Sequence, residues 1–265
     1  WKTTSISKLR PLFNSIIRMP GVNAVVDAFS GSGLYASWAS RVDVPVVRND
    51  LNKYIYKLNT FLLDKNKSKV VRNSVKKVLD QIEGQDRNGI RQILNFGLNS
   101  FFTSPTPSNA GYFLVGQRLQ IKALAPGSSI DLKWPRSAID KKKGIPSELK
   151  KLLAKDPKDG STTLERAVTQ MHDIMSEAKT ELSSVDGWAI VKRARAGNLL
   201  FIDPEYVTEG LKKPTYGELT YDLTSDTILP NAVAKIKSEI KDAHARKVRI
   251  VYTNTWHPIL ARNLK

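Results

Sequence analysis

Two short clusters in this 265-residue chain combine residue types that could do chemistry. The first is Asp203-Pro204-Glu205-Tyr206, directly after the apolar run Leu199-Leu200-Phe201-Ile202. A carboxylate and a proline carbonyl at the end of a buried strand would face one spot, with an aromatic ring beyond them. Two acceptors beside a stacking ring suit the exocyclic amino group of a flat base. An ordinary turn with a tyrosine packed against it would use the same residues. The second cluster is Asp27-Ala28-Phe29-Ser30-Gly31-Ser32-Gly33, set between an apolar run and a helical pattern. Its alternate glycines, Gly31 and Gly33, let backbone approach a ligand closely, and a helix N-terminus behind them favours electronegative groups. Asp50 follows Gly33 by 17 residues, at the end of the next apolar run. A carboxylate there can accept both hydroxyls of a ribose, so turn and acid together describe a nucleoside-containing ligand. The plainer reading is a turn and a solvated aspartate. The turn lacks the third Gly of the dinucleotide fingerprint and the Gly-Lys-Ser/Thr of a Walker loop.

The elements needed to hold these clusters are readable from hydrophobic period. Helical spacing appears over 7–17, 53–63, 70–83, 92–102 and 230–246; short apolar runs at 24–29, 44–50, 198–203 and 248–252 suit strands. Thr162 and Glu165 are spaced as a capping box, opening a helix with Leu164, Val168, Met171, Met175 and Leu182 on one face. Met171 and Met175 read as core, and neighbouring His172 as incidental. Strand, Gly-rich turn, helix, strand is the grammar of a parallel α/β sheet. Between the two halves of that grammar, Lys133 to Lys158 carries nine basic residues against three acidic ones, broken by Pro135, Gly144, Pro146 and Pro157. Such a stretch is a solvated face or a phosphate-contacting one; on the second reading Lys141, Lys142, Lys143, Lys150 and Lys151 meet phosphates, and Trp134 and Arg136 meet bases.

Lys and Arg number 42 against 25 Asp and Glu, a net charge of +17 that favours polyanions as partners. No apolar run approaches the roughly 18 residues of a membrane span, so no membrane is expected. The absence of Cys excludes disulfides, thiolate metal sites and cysteine nucleophiles, and three dispersed His make a histidine metal centre improbable. No metal is therefore expected. The chain opens on Trp1 without a signal-like pattern, so a processed or trimmed cytoplasmic protein, bacterial or viral, is the expectation.

Taken in order, the clusters resemble the DNA adenine methyltransferase (Dam) family. Asp27-Ala-Phe-Ser-Gly-Ser-Gly33 is similar to its Phe-x-Gly-x-Gly motif, and Asn49-Asp50-Leu51-Asn52 to its Asn-Asp-Ile-Asn. Leu94 to Phe102 resembles the segment around its Leu-Asn-Arg. The run from Gly197 to Tyr206 resembles the strand ending in Asp-Pro-Pro-Tyr, and Val251-Tyr252-Thr253-Asn254 the late strand ending in Ser-Asn. The likeness spans about residues 7–257. Glu205 stands where the family has a second Pro, and of its N-terminal Lys-Trp-Ala-Gly-Gly-Lys stretch only Lys8 is retained.

The resemblance implies an α/β fold: a Rossmann-like methyltransferase sheet with helices on both faces, plus a mostly helical basic insertion. Residues 1–109 and 186–265 would form the S-adenosylmethionine-binding catalytic domain, and 110–185 the inserted target-recognition region. It implies a site-specific DNA adenine-N6 methyltransferase acting on a flipped-out base, with RNA or cytosine N4 as the alternative target. Asp203 and Pro204 would accept from the amino group and Tyr206 would stack on the base. Lys8, Asp27, Phe29, Gly31, Gly33, Asp50 and Trp188 would line the cofactor pocket. Glu205 and the reduced N-terminal motif suit a second expectation, a catalytically degenerate protein of the same fold that binds nucleic acid or acts as a scaffold. His257, just past the Asn254 strand, reads as structural.

Overall fold

The computed structural model describes residues 11–31, 39, 43–119, 147–202 and 228–252. They fall into two compact units, and the chain passes from one to the other near residues 56–57 and 173–174.

The first unit holds a five-stranded sheet: β1 (Ala24–Asp27), β2 (Val46–Asn49), β3 (Glu181–Ser183), β4 (Asn198–Ile202) and β5 (Arg249–Tyr252). Every pairing is parallel and the order is β3-β2-β1-β4-β5. Strands whose side chains alternate in direction bury both faces when both are covered, which explains why these segments read as near-continuous apolar runs. Val25, Val46, Leu199 and Phe201 belong to one cluster with Phe13 and Ile17 of α1 (11–17), with Ala39 and with Ala178. Their neighbours Val26, Leu200 and Ile202 belong to the other. That second cluster is closed by Ile190, Val191 and Ala194 around a helix at Gly187–Arg193, and by Ala243 of a helix at Ile228–Ala245. The α/β architecture with helices on both faces is therefore present, in the doubly wound strand order. The order reverses between β1 and β4, so the carboxyl ends of these two strands flank the natural crevice of such a sheet.

The helix opened by Thr162 stops at Glu177 and does not continue to Leu182, which lies in β3. Lys179 adopts a left-handed φ of 47°, and the Thr180 amide donates back to the Met175 carbonyl at 3.1 Å. This six-residue closure ends a helix, and it usually uses glycine in the left-handed position. Met175, 1% exposed, is core as read.

The second unit is helical. Counting α2 (Lys53–Leu63), which leads into it, its helices are α3 (Lys65–Ile82), α4 (Arg87–Thr103), α5 (Ala110–Leu119), α6 (Ser147–Leu153) and α7 (Thr163–Glu177), the last leading out again. Asp64 caps α3 by accepting the amides of Asn66 and Lys67 at 3.0 Å, and Asp86 caps α4 through Gly89 at 2.8 Å. Val71, Val75, Val78, Leu79 and Ile82 form the buried stripe of α3, and Ile90, Leu94, Leu98 and Phe101 that of α4. The capping box of α7 is formed: the Thr162 amide and hydroxyl donate to Glu165 Oε2 at 2.8 and 2.9 Å. His172 has a structural contact, its Nδ1 lying 2.9 Å from the Leu62 carbonyl.

Helices α3 and α5 meet backbone to backbone. The Gly111 amide donates to Ser74 Oγ at 3.0 Å, and a Cβ at Gly111 would lie 2.4 Å from the Ser74 carbonyl carbon. Gly111→Ala should accordingly push the helices apart and lose about 2–3 kcal/mol of stability, an overpacking cost that denaturant unfolding would read directly. A variant with unchanged unfolding midpoint would show the contact to be slack.

Candidate functional site

Candidate residues gather at the carboxyl edge of the sheet in the first unit. The Ala28 amide donates to the Phe201 carbonyl at 3.2 Å, extending the β1–β4 ladder one residue past Asp27. The chain then turns through Phe29, Ser30 and Gly31. Gly31 has a left-handed φ of 45°, and a Cβ there would meet nothing within 4 Å among the described residues. Glycine adopts this conformation without strain. Ser30 is buried at 6% exposure, and its hydroxyl has no partner among the described residues.

Asparagine 49 ties the neighbouring turns together. Its side-chain amide donates to the Ala28 and Val185 carbonyls, both at 2.9 Å, and its oxygen accepts the Val185 amide at 3.0 Å. The Ser30 amide also donates to the Asn49 carbonyl at 2.8 Å. The turns after β1 and β2 and the segment after β3 are thus held to one another by a single side chain and its backbone.

Asp50 sits on this frame, partly exposed. Its carboxylate accepts the Asn52 amide at 2.8 Å and the amide of Gly31. Burial raises its pKa to about 6; the two amides and the charge of Arg48 oppose that rise without cancelling it. Arg48 is itself buried at 3% exposure, opposite Asp27 in the β1–β2 register. Burial lowers its pKa, while Asp27 and then Asp50 pull it back up. Three ionisable groups, Asp27, Arg48 and Asp50, therefore share the low-dielectric end of β1 and β2. Asp27 is fully buried and belongs to this charge cluster.

An aromatic pair lies on the same edge. The helix after β3, α8 (Gly187–Arg193), is capped by Asp186, which accepts the Trp188 and Ala189 amides at 2.7 and 3.2 Å. The cap fixes Trp188 beside Phe29, edge to face, with ring centroids 5.4 Å apart. Lys235 of α9 (Ile228–Ala245) stands over the indole, its Nζ 5.7 Å from the ring centroid. Gly187 is a close-approach position, because a Cβ there would fall 2.4 Å from the Phe29 ring.

The sequence-read residues Asp27, Phe29, Gly31, Asp50 and Trp188 are thus brought to one end of one sheet. Lys150 and Lys151 lie in the second unit, exposed on α6, whose Leu149 and Leu152 are buried. Lys8, Gly33, Trp134, Arg136, Lys141, Lys142, Lys143, Asp203, Pro204 and Tyr206 lie outside the described residues, as do Glu205, Asn254 and His257. Two contributors have no assigned role in the sequence reading: Arg48, and Asn49, which enters there only as the first residue of Asn49-Asp50-Leu51-Asn52. Arg48 carried a usable signal, a charged residue inside the apolar run Val46-Val47-Arg48, which only a buried partner tolerates. Among the described residues, the fit to a nucleoside group rests on a carboxylate, Asp50, beside the turn after β1, with the Phe29–Trp188 pair nearby. Among the described residues no cluster of metal-ligating side chains occurs, and no helix is long and apolar enough to cross a membrane. No family model matches the chain, and no curated protein matches it.

Proposed function

We propose that the protein is an S-adenosylmethionine-dependent methyltransferase acting on the N6 amino group of adenine in DNA. The observation that carries this reading is Asp50, an acid at the carboxyl end of β2 that accepts the Gly31 amide of the turn after β1. In doubly wound sheets, dinucleotides and nucleosides bind at this edge, with such an acid on the ribose hydroxyls. Support for the acceptor half comes from sequence: Asp203-Pro204-Glu205-Tyr206 begins one residue past β4, the strand paired with β1.

Under this reading Asp50 would accept the ribose hydroxyls, Gly31 and Gly33 would allow the cofactor against the backbone, and Phe29 and Trp188 would bound its adenine end. When bound, S-adenosylmethionine supplies a methyl group made electrophilic by its sulfonium. Adenine N6 is a poor nucleophile because its lone pair is delocalised into the ring. Asp203 and the Pro204 carbonyl would accept its N–H bonds and favour a more tetrahedral nitrogen with its lone pair free for in-line attack. Positioning and oriented acceptors would do the catalytic work, with no covalent enzyme intermediate. Tyr206 would stack on the base, which has to leave the duplex to be reached. The +17 charge would hold the polyanionic substrate.

The test is calorimetric titration of the whole chain with S-adenosylmethionine, followed by transfer of a labelled methyl group to duplex DNA with and without adenine. Saturable binding and adenine-dependent labelling are expected. A folded protein that does neither would overturn the reading. Gly187→Ala provides a sharper check: by displacing the Phe29 ring it should weaken cofactor binding about tenfold while leaving the circular dichroism spectrum intact. Equal affinity in that variant would remove Phe29 and Trp188 from the pocket.

A further inference from the structure

Helix α3 carries a charge pattern that its buried face does not require. From Lys65 to Leu79 it holds six basic residues and no acidic one. Four of them, Lys65, Lys69, Arg72 and Lys76, recur at i, i+4, i+7 and i+11. At 100° per residue these positions lie within about 60° of one another, a straight stripe about 16 Å long. The stripe runs along the edge of the apolar face made by Val71, Val75, Val78 and Leu79, and Lys65, Lys69 and Lys76 are exposed.

Asp80, exposed on the same helix four residues after Lys76, forms no salt bridge with the stripe among the described residues. Asp64 is engaged by Lys67 at 3.3 Å, and Glu83 by Lys155 at 3.6 Å. None of the four stripe residues has a salt bridge among the described residues. The carboxylate that does feel Arg72 is Asp159, which is held down first by the hydroxyl and amide of Ser161. Lys155 reaches Glu83 just past the end of α3, and Lys158 of the same segment is exposed. Four like charges one turn apart repel one another, a cost that an isolated solvated helix has no reason to accept.

We infer that this stripe is a track for the phosphate backbone of a nucleic-acid strand. Over 16 Å of axis one strand of a duplex presents about five phosphates, a match in length for four cations. Contacts of this kind set affinity and register without reading sequence. The inference rests on the nucleic-acid partner of the proposed function, but it assigns that partner to residues outside the 133–158 stretch and needs no methyl transfer.

The experiment is binding of the full chain to a fluorescein-labelled 20-base-pair DNA duplex, followed by anisotropy over a series of KCl concentrations. One variant changes Lys65, Lys69, Arg72 and Lys76 to Gln, which keeps the side-chain stems and helix propensity. A second changes Lys65, Lys69 and Lys76 to Arg. A third removes as many charges from the first unit, through Arg193, Arg195, Lys237 and Lys241 to Gln, all exposed. The Gln stripe variant should lower the slope of log affinity against log salt by about 3 to 4, at roughly 0.9 per lost contact. The Arg variant should bind as the parent does, and the third should keep the parent's slope to within about one unit. Equal loss in the stripe and the first-unit variants would mean a general charge effect and overturn the track. A stripe variant with unchanged slope would overturn it too, while leaving the DNA partner intact. A parent chain with no salt-sensitive DNA binding would remove the partner itself. Loss of binding only to vesicles of anionic phospholipid, with DNA binding unchanged, would overturn the assignment in favour of a membrane surface.

Discussion

Replacing Asp203 with Ala should abolish methyl transfer to adenine, by about 10³-fold or more, while S-adenosylmethionine still binds with close to the parent affinity. The separation follows from where the two groups sit along the chain. The residues that the proposed function assigns to the cofactor, Asp50 and Gly31, belong to the turns after β2 and β1, which Asn49 ties together. Asp203 follows β4, whose Leu199, Leu200 and Phe201 are buried at 1% exposure or less, so a change at its carboxyl end leaves the sheet in place. An acceptor for the amino group matters most when the nitrogen rehybridises, so its loss should fall on kcat and leave cofactor affinity alone. Asp203→Asn keeps one carbonyl acceptor but loses the negative charge, and should retain part of the activity. Single-turnover transfer measured beside calorimetric cofactor binding resolves the two effects. Unchanged turnover in Asp203→Ala would sink the acceptor mechanism, and joint loss of turnover and cofactor binding would move Asp203 into the cofactor pocket.

How far the fold was legible depended on which interactions set each element. Strands β1, β2, β4 and β5 were readable because a sheet covered on both faces demands unbroken apolar runs, and Val25-Val26 and Leu199-Leu200 supply them. Helices α2 and α7 were readable because period and cap are local signals, as the Thr162–Glu165 box shows. Strand β3 was not. Its three residues, Glu181-Leu182-Ser183, have no pattern of their own and pair only because β2 offers an edge. The helix before it ends in a left-handed Lys179, where a glycine would have marked the stop, and Lys247 repeats the device after α9 with φ of 62°. The candidate site shows the same division. Gly31 and Asp50 declared themselves by type and spacing. The part played by Asn49, which bonds to residues 21 and 136 positions away, is a tertiary fact that no local window contains. The α3 stripe was in the sequence throughout, and it acquired direction only when Val71, Val75 and Val78 fixed which face is buried.

Asp50→Asn should do two opposite things: raise the thermal midpoint of the free protein at pH 7.5, and weaken S-adenosylmethionine binding about 10- to 100-fold. The first effect comes from the sign of the Asp50 shift. Its pKa in the folded protein, about 6, lies above the ordinary 3.8, so the folded state holds this proton more tightly than the unfolded chain. Stability associated with the group is therefore complete below about pH 4 and is lost as pH rises through 6. Two units correspond to about 3 kcal/mol at most, and the partial exposure of the carboxylate reduces this to about 1–2 kcal/mol. Asparagine removes the buried charge and keeps an oxygen for the Asn52 and Gly31 amides, so variant and parent should melt together near pH 4 and diverge above pH 6. The binding effect runs the other way, because a ribose diol is held best by an anion that accepts from both hydroxyls. Parent affinity should accordingly fall as pH drops below about 6, approaching tenfold per unit, and the Asn variant should lack that dependence. Melting curves and titrations across pH 4–8 measure both. An aspartate kept for architecture alone would give a variant less stable than the parent at pH 7.5 and would leave cofactor affinity untouched. A more stable variant that binds poorly marks a carboxylate retained against its own folding cost because the bound ligand needs the charge.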